Sequence, residues 1–258
     1  MCHSFLTCSR QELELALREI SCGSDVAIPD AVGIGATAYP GTLAPVIMAQ
    51  HAGASRAVAS REGASQGHEG AHQGYEPASQ GRECESQEAR QLQLDVEALG
   101  FGWPVEWKDG TVFNARFESL LANDGMWAGA LESCRCIVPC SSFFESHMSE
   151  MSTSPRTGKL AKRRYAFSSP DGGPLLLGAV CDGGHFSIVT TNPNADVAPV
   201  HDRMPLVLSP EEVRMWLDLE TPIPLISKLQ DRSSIRLHAL PEGTLASPIA
   251  VQEQLPLI

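Results

Sequence analysis

Short runs of β-forming residues, each followed by a turn rich in glycine or proline, fill much of the second half of the chain. Because strands joined by such tight turns pair with their sequence neighbours, the pattern predicts antiparallel pairing. Long helices do not alternate with these runs, which argues against a parallel doubly wound sheet. We therefore predict a β-rich α+β fold, in which a twisted antiparallel sheet forms a barrel-like core with peripheral helices. The runs are Cys136–Val138, Ser142–Glu145, Arg164–Ser168, Leu175–Val180 and Phe186–Thr191, and the clearest turns are Pro170-Asp171-Gly172-Gly173 and Asp182-Gly183-Gly184.

Residues 51–91 differ in character from the rest of the chain. Alanine, serine, glycine, glutamine, glutamate and histidine dominate there, and large apolar side chains are almost absent. Such a segment cannot bury enough apolar surface to offset the entropy lost on ordering. We therefore interpret residues 1–258 as a single domain that carries a flexible low-complexity insertion at residues 51–91.

Two capping boxes predict where helices begin. Ser9 is followed three residues later by Glu12 and by apolar residues at helical spacing, which predicts a short amphipathic helix. Ser209 and Glu212 repeat this pattern with Pro210 at the first helical position, which predicts a second helix. Between the two boxes, the sequence also predicts strands at Pro45–Met48, Leu94–Trp107 and Thr111–Asn114, and a helix-prone stretch at Phe117–Leu131 that is interrupted near Gly125.

The formal net charge of −12 argues against a nonspecific binder of polyanions, because phosphate contacts need lysine and arginine. A local basic patch can coexist with an acidic chain, and Lys159, Lys162, Arg163 and Arg164 form one candidate. A solvated charge run on a loop explains these four residues equally well. No apolar run approaches the roughly 20 residues that cross a bilayer, and the first six residues do not have the pattern of a secretory signal. We expect a cytoplasmic protein with no membrane contact.

The eight cysteines invite a disulfide or zinc interpretation, and neither fits well. Cysteines of cytosolic proteins are mostly reduced, and a chain of this size can build a core without cross-links. Cys134, Cys136 and Cys140 form the densest group, but their spacing is not a usual structural-zinc pattern. We therefore expect small buried thiols on a strand, and no metal.

Cys2 directly follows the initiator methionine. Removal of Met1 would leave an α-amino group and a thiol on one carbon framework, with ordinary pKa values of about 8 and about 8.5. Such an aminothiol condenses with aldehydes: the amine forms a Schiff base and the thiolate closes a thiazolidine ring. Position alone does not separate this chemistry from an incidental residue on a frayed terminus.

Four motifs follow Cys2 in a fixed order. They are Phe101-Gly102-Trp103; Asn114-Ala115-Arg116-Phe117-Glu118; Arg135-Cys136-Ile137-Val138-Pro139 running to Ser142-Phe143-Phe144-Glu145; and Ile188-Val189-Thr190-Thr191 followed by His201-Asp202-Arg203-Met204-Pro205. Together with Cys2 they resemble the SOS response-associated peptidase family, the abasic-site processing proteins, in order and approximate spacing. The resemblance is strong from about Leu99 to Leu217, weaker from Met1 to Met48, and does not cover residues 51–91.

The resemblance implies four catalytic residues. Cys2 matches the family nucleophile, which removal of Met1 exposes, and Asn114 matches the asparagine that orients the N-terminal residue and the sugar. Glu145 and His201 match the catalytic glutamate and histidine. These roles make chemical sense, since a partly buried carboxylic acid and an imidazole both exchange protons near neutral pH. Taken singly, each of these residues also has an ordinary structural explanation.

The resemblance also implies contacts to DNA. Arg116 and Arg203 match positions that hold phosphates beside the lesion, and Thr190 matches a position that lines the pocket. Trp103 and Phe144 carry rings that can stack on bases, as sequence-tolerant single-strand binders do. Core packing is the alternative for both aromatic residues.

The chain departs from the family pattern at several positions. His3 and Ser4 replace the glycine and arginine that usually follow the cysteine, so position 4 lacks a basic side chain that could contact phosphate. Ser142 replaces a glycine, and Ser146 replaces a tryptophan. We expect these changes to weaken DNA affinity more than they affect the chemistry.

We therefore expect a monomer that binds abasic sites in single-stranded DNA and forms a thiazolidine crosslink through Cys2, without a metal or nucleotide cofactor. Removal of its own Met1 and lyase chemistry through the Schiff base would follow from the same residues. One alternative is a cysteine peptidase with an N-terminal nucleophile that cleaves other proteins. Another is a non-covalent module that binds DNA or a protein partner, which a retained Met1 would favour.

Overall fold

The computed structural model describes residues 2–21, 26–29, 33–50, 92–105, 110–154 and 157–242; the predicted insertion lies outside these ranges. The strands are β1 (Ser4–Thr7), β2 (Thr37–Ala38), β3 (Leu43–Ala49), β4 (Leu94–Phe101), β5 (Trp103–Pro104), β6 (Thr111–Val112), β7 (Asn114–Arg116), β8 (Arg135–Thr153), β9 (Leu160–Ser168), β10 (Leu175–Cys181), β11 (His185–Thr191), β12 (Met204–Pro205), β13 (Val207–Leu208) and β14 (His238–Pro241). The α-helices are α1 (Arg10–Ile20), α2 (Phe117–Ala122), α3 (Ala130–Ser133), α4 (Pro210–Leu217) and α5 (Ile223–Ile226).

Five strands close into a ring, because each of β10, β11, β4, β3 and β8 pairs with the next and β8 pairs back to β10. The β3–β4 and β3–β8 pairs, both antiparallel, complete the ring. Strand β1 extends it along the second half of β8, and β9 pairs there as well. The predicted β-rich fold with a barrel-like core is therefore confirmed.

Two strand pairs run parallel: β11 with β4, and β11 with β7. The prediction of antiparallel pairing is wrong for these pairs. Their partners lie far apart in sequence, so no tight turn dictates their direction. The predicted strand from Leu94 breaks at Gly102, whose φ of 104° lies in the left-handed region that favours glycine.

The predicted strands Cys136–Val138 and Ser142–Glu145 are parts of one long strand, β8. Pro139, which lies between the two predicted strands, cannot donate a backbone hydrogen bond. It lies within the strand opposite Leu176 of β10. The strand stays continuous because β10 and β3 pair with its first half, while β1 and β9 pair with its second half.

Alternating side chains of the ring strands pack into two apolar clusters. One cluster includes side chains of α1, α2, α3 and α4, so it lies between the helices and the outer face of the sheet. The other has no residue from the five helices, and it includes Phe5, Phe101, Phe186 and Cys2. Because most of its members are strand residues that face away from the helices, this second cluster fills the inside of the ring.

Both predicted capping boxes form. The Ser9 hydroxyl accepts from the Glu12 backbone N–H at 3.3 Å, and Glu12 Oε2 accepts from the Ser9 N–H at 2.7 Å. Ser209 and Glu212 make the same reciprocal bonds at the start of α4. The helix-prone stretch after Phe117 is interrupted as predicted, by a 3₁₀ turn at Gly125–Trp127. None of the helices within the described ranges has the length and apolar character that crossing a bilayer demands.

Cys136 and Cys140 are free, buried thiols on β8, as predicted. The expectation is wrong for Cys134, which forms a disulfide with Cys181. The first of these residues precedes β8 and the second ends β10, and pairing of these strands brings the two Cα atoms within 5.3 Å.

Trp216 anchors α4 to the ring. Its side chain is fully buried, and its indole N–H donates to the carbonyls of Cys136 and Ala179, at 3.0 and 3.3 Å, on neighbouring strands.

We expect Trp216→Phe to lower the free energy of unfolding by about 2 kcal/mol, because it leaves two buried carbonyls short of a donor. Urea titration measures this. Trp103→Phe is the control, because the structure gives the Trp103 indole N–H no acceptor among the described residues; an equal loss there would contradict the assignment.

Candidate active site

The first residues of the chain lie along the second half of β8. Ser4 pairs with Phe144 and Phe5 pairs with Phe143, so Cys2 and His3 run beside Glu145. Phe5 is fully buried among the rings of Phe101 and Phe186, which fixes this segment in the interior cluster. The thiol of Cys2 is consequently also fully buried, and its Sγ lies 3.6 Å from the Ser4 carbonyl oxygen.

Asn114 is the first residue of β7 and faces the start of the chain. Its register opposite Ile188 of the parallel neighbour β11 fixes its position. Its side-chain Nδ2 donates to the Cys2 carbonyl oxygen at 3.0 Å, although 112 residues separate the two. The Asn114 Oδ1 is buried and has no hydrogen-bond partner among the described residues. An amide in this position holds one group and still offers an acceptor to another.

Glu145 lies on β8, and its side chain is only 2% exposed. His201 approaches from the loop between β11 and β12, with its Nε2 3.9 Å from Glu145 Oε2. Burial raises the pKa of the Glu145 carboxyl to about 7, and the negative charge of Asp202 acts in the same direction. Near neutral pH this carboxyl therefore exists in both protonation states, as a group that gives and takes protons should.

The hydrogen bonds of His201 fix its neutral tautomer. Its Nδ1 accepts the Arg203 backbone N–H at 3.1 Å, which leaves the ring proton on Nε2, facing Glu145. Asp202 Oδ1 is also 3.1 Å from Nδ1, but that side chain is 75% exposed and screened by water. Burial is the main reason that the pKa of His201 is lowered from its ordinary value, so the ring stays neutral near pH 7.

The Cys2 thiol is protonated in this state of the chain. Burial raises the pKa of Cys2 far above its ordinary range, and the nearby Glu145 carboxylate raises it further. Because Ser4 lies opposite Phe144 on β8, Cys2 lies close to Glu145. The structure thus brings together all four residues that the sequence assigned to catalysis: Cys2, Asn114, Glu145 and His201.

A cavity of about 290 Å³ opens beside Glu145 and His201. Its lining includes Ser4 and Ser146, two of the positions at which the chain departs from the family pattern. The other lining residues are His3, Tyr39, Phe144 and Arg164. Sequence reasoning missed Tyr39 altogether and placed Arg164 only in a basic run. The strand register that brings Arg164 opposite Ser146 is what sets it at the cavity.

A second group of predicted site residues does not belong to the lining of this cavity. It consists of Arg116, Thr190 and Arg203. Thr190 pairs with Arg116 in the sheet and accepts a bond from Arg203 Nη2 on its carbonyl oxygen. The Arg203 guanidinium also makes a two-pronged ion pair with Glu118, both distances being 2.9 Å. The Arg203 guanidinium is therefore hydrogen-bonded to other residues of the protein. Thr190 is fully buried, and Arg116 is exposed.

The two aromatic candidates differ in position. Phe144 lines the cavity, and the Arg164 guanidinium lies over its ring at 4.6 Å. Trp103 is partly buried against the outer apolar cluster, edge-on to Trp127 at 5.4 Å, and does not line the cavity. Phe143 is fully buried and stacked on Phe167, so it packs in the core. In the described part of the chain, no three His, Cys, Asp or Glu side chains are grouped so that they could hold a metal ion.

Comparison with known proteins points in one direction. A family model described as SOS response associated peptidase (SRAP) matches residues 35–241. The abasic site processing protein YoqW of Bacillus subtilis (strain 168) is 33% identical over 126 residues, which are 45% of this chain and 52% of that protein. YoaM of the same organism, also named an abasic site processing protein, is 31% identical over 126 residues with the same coverage. The chain thus spans about half the length of the curated relatives it matches.

Solved structures with a similar fold cover nearly the whole chain. A phage-related protein from Bordetella bronchiseptica superposes with a TM-score of 0.58 at 18% identity, covering 93% of each chain. A protein from Bacteroides thetaiotaomicron superposes with a TM-score of 0.56 at 15% identity, covering 93% of this chain and 92% of its own. At such identities the likeness concerns the fold alone.

The raised pKa of Glu145 makes a prediction about stability. The unfolded chain loses this proton near pH 4.5, whereas the folded chain keeps it up to about pH 7. The ionised carboxyl therefore destabilises the folded state increasingly between these values and fully above them. We expect Glu145→Gln to raise the free energy of unfolding at pH 8, by as much as about 3 kcal/mol, and to change it little at pH 4.

Urea titrations at pH 4, 6 and 8 measure this dependence. Glu132→Gln, on an exposed side chain of α3, is the matched control and should give no trend with pH. A stability gain for Glu145→Gln that is the same at all three pH values would contradict the assigned titration.

Proposed function

The chain belongs to the SOS response-associated peptidase family, and we propose that it recognises abasic sites in single-stranded DNA and bonds to them covalently through Cys2. Two relatives that carry the name abasic site processing protein support this substrate. The observation that carries the proposal is the 3.0 Å bond from Asn114 to the Cys2 carbonyl. It holds the N-terminal residue beside a buried carboxyl group and an imidazole.

The proposed reaction begins once Met1 has been removed and the Cys2 nitrogen is a free amine. The open-chain form of the abasic deoxyribose presents an aldehyde, and the amine adds to its carbonyl carbon to give a carbinolamine. Loss of water gives a Schiff base. The Cys2 sulfur then adds to the carbon of the protonated imine while its proton passes to the Glu145 carboxylate left by the loss of water, which closes the thiazolidine ring with one water released overall.

Glu145 and His201 move the protons in this scheme. The protonated Glu145 carboxyl donates to the hydroxyl that leaves as water, because a group with a pKa of about 7 is an effective acid near neutrality. The Nε2–H of His201 points at the same carboxyl and exchanges protons with it. Asn114 has a positioning role: its Nδ2 holds the Cys2 carbonyl, and its Oδ1 accepts from the amine or from a sugar hydroxyl.

Burial sets the order of the two bonds to Cys2. Its thiol is kept protonated by the apolar surroundings, so the sulfur is a poor nucleophile in the resting protein. A protonated imine on the adjacent nitrogen is a positive charge close to the sulfur, and it favours the thiolate. The Schiff base therefore forms first and the ring closes second. Lyase chemistry, in which the strand breaks by elimination, competes at the Schiff base stage.

The DNA contacts follow from exposure. Arg116 is exposed and suits a phosphate, whereas Arg203 must share its guanidinium with Glu118. Thr190 supports this group through its carbonyl oxygen, and its own side chain is fully buried on β11. The Phe144 ring lies at the cavity, where a base could contact it. The Trp103 ring packs beside Trp127 and lies outside the cavity.

A crosslinking assay tests the proposal. Purified protein is incubated with a single-stranded oligonucleotide that carries one abasic site, and the products are separated on a denaturing gel. We expect a heat-stable shifted band with the unchanged protein and none with Cys2→Ala, because that variant has no sulfur to close the ring. Brief treatment with borohydride should trap the Schiff base of Cys2→Ala, whose amine remains. Intact mass should show the loss of Met1.

Cys8→Ala is the matched control, since Cys8 is also a free and fully buried thiol near the start of the chain. It should crosslink like the unchanged protein. Absence of a band with the unchanged protein, after loss of Met1 has been verified, would refute the covalent mechanism. Cleavage of peptides in place of crosslinking would instead support an N-terminal-nucleophile peptidase.

The pH dependence of crosslinking follows from the same groups. The amine must be unprotonated to attack, so the rate rises towards its pKa of about 8, while Glu145 must be protonated to donate, so the rate falls above about pH 7. We expect a bell-shaped profile between pH 5 and pH 9. Glu145→Gln should react about 100-fold more slowly and lose the alkaline limb. An unchanged limb in this variant would assign the proton donor to another group.

A further inference from the structure

Arg164 belongs to a basic run whose members point to different sides of β9. Its neighbour Arg163 pairs with Glu150 at 2.6 Å and lies beside Tyr165, away from the cavity. Arg164 lines the cavity, and its side chain is about half as exposed, at 20% against 38%. The run is therefore not a uniform solvated face, because alternation along the strand sends one arginine to each side.

Three contacts hold the Arg164 guanidinium at the cavity. Its Nη1 donates to Glu242 Oε1 at 2.7 Å, its Nη2 donates to the Ser4 hydroxyl at 2.8 Å, and its plane lies over the Phe144 ring. A guanidinium has five N–H donors, and these two bonds use two of them. The other three have no partner among the described residues. The group is thus pre-positioned and still has donors for a ligand.

The contact with Ser4 is informative, because position 4 lacks the basic side chain that the family pattern has there. A cation that reaches position 4 from β9, 160 residues later in the chain, occupies the neighbourhood that this missing side chain would have supplied. Arginine is well suited to phosphate, because its planar fork matches two phosphate oxygens at once.

We propose that Arg164 binds a backbone phosphate beside the abasic site, in the place of the absent basic residue at position 4. This inference rests on the function proposed above and adds a DNA-binding residue to it. Lys162 lies two residues earlier, on the same side of β9. Its positive charge helps to lower the pKa of His201, although burial contributes most to that shift. Arg164 gives the direct contact, and Lys162 strengthens the local positive field.

Glu242 already pairs with the Arg164 guanidinium, so a phosphate must displace this carboxylate or bind beside it. It is bound to Arg164 twice, through the side-chain ion pair and through its own backbone N–H, which donates to the Arg164 carbonyl at 2.8 Å. Its side chain is 21% exposed, so it is within reach of solvent and of DNA. Replacing Glu242 by glutamine keeps the backbone bond and removes the competing charge. Glu242→Gln should therefore strengthen DNA binding.

The test measures non-covalent binding, so that it does not depend on crosslinking. A labelled single strand carrying a tetrahydrofuran site, which has no aldehyde, is titrated with protein at several salt concentrations. We expect Arg164→Gln to bind about tenfold more weakly and to lower the slope of log affinity against log salt by about 0.7, as for one lost phosphate contact. Arg164→Lys should recover part of the affinity, and Glu242→Gln should bind a few-fold more tightly.

Arg163→Gln is the matched control, since it removes the same charge from the neighbouring residue on the other side of β9. It should change affinity less than twofold. Thermal melting of each variant separates unfolding from weakened binding, and Arg164→Lys decides the matter should Arg164→Gln be unstable. Equal losses for the two glutamine variants, or no loss for Arg164→Gln, would overturn the proposal.

The two proposals can fail independently. Crosslinking by the unchanged protein together with unaltered affinity of Arg164→Gln would leave the covalent function standing and refute the role of Arg164. Binding that depends on Arg164 without any crosslink would support the phosphate contact and refute the thiazolidine mechanism.

Discussion

The candidate site depends on how the start of the chain is held. Strand β1 pairs with β8, Phe5 is buried within the ring, and Asn114 binds the Cys2 carbonyl. Termini usually fray because few contacts hold them. Here a strand pairing, a buried ring and a side-chain hydrogen bond act on residues 2–5, so the entropy of ordering them is offset by apolar burial. A nucleophile at the second residue can be placed accurately only under such a constraint.

The same burial that fixes the site also sets its acid–base properties. It raises the pKa of Glu145 and Cys2 and lowers that of His201, so each of the three groups favours its neutral form. On the proposed mechanism, the neutral thiol and the neutral imidazole react little until a positive charge forms at the Cys2 nitrogen. The protonated Schiff base would be that charge. On the proposed mechanism, the site becomes reactive through the chemistry of its first step.

Much of the fold could be predicted from local patterns. The capping boxes at Ser9 and Ser209 and the interruption near Gly125 are decided by neighbouring residues, and they formed as expected. The parallel pairs of β11 and the Cys134–Cys181 disulfide are decided by how distant segments meet, and no local signal carries that information. Of the candidate site, motif order supplied the four residues that the fold brings together, whereas the contact between Arg164 and Ser4 required the register of β9 on β8.

Net charge proved a weak guide to the local field for a related reason. The chain is acidic overall, but the side chains that border the cavity include Arg164, and Lys162 lies two residues earlier on the same strand. Their counterion Glu242 lies beyond them at the end of β14, and Glu145 is half protonated near pH 7. The field that a phosphate meets is therefore set by a few side chains within a Debye length, about 8 Å at physiological salt. A basic residue lost at one position of a sequence can be replaced from any strand that folds to the same place, so charge at a site must be judged in space.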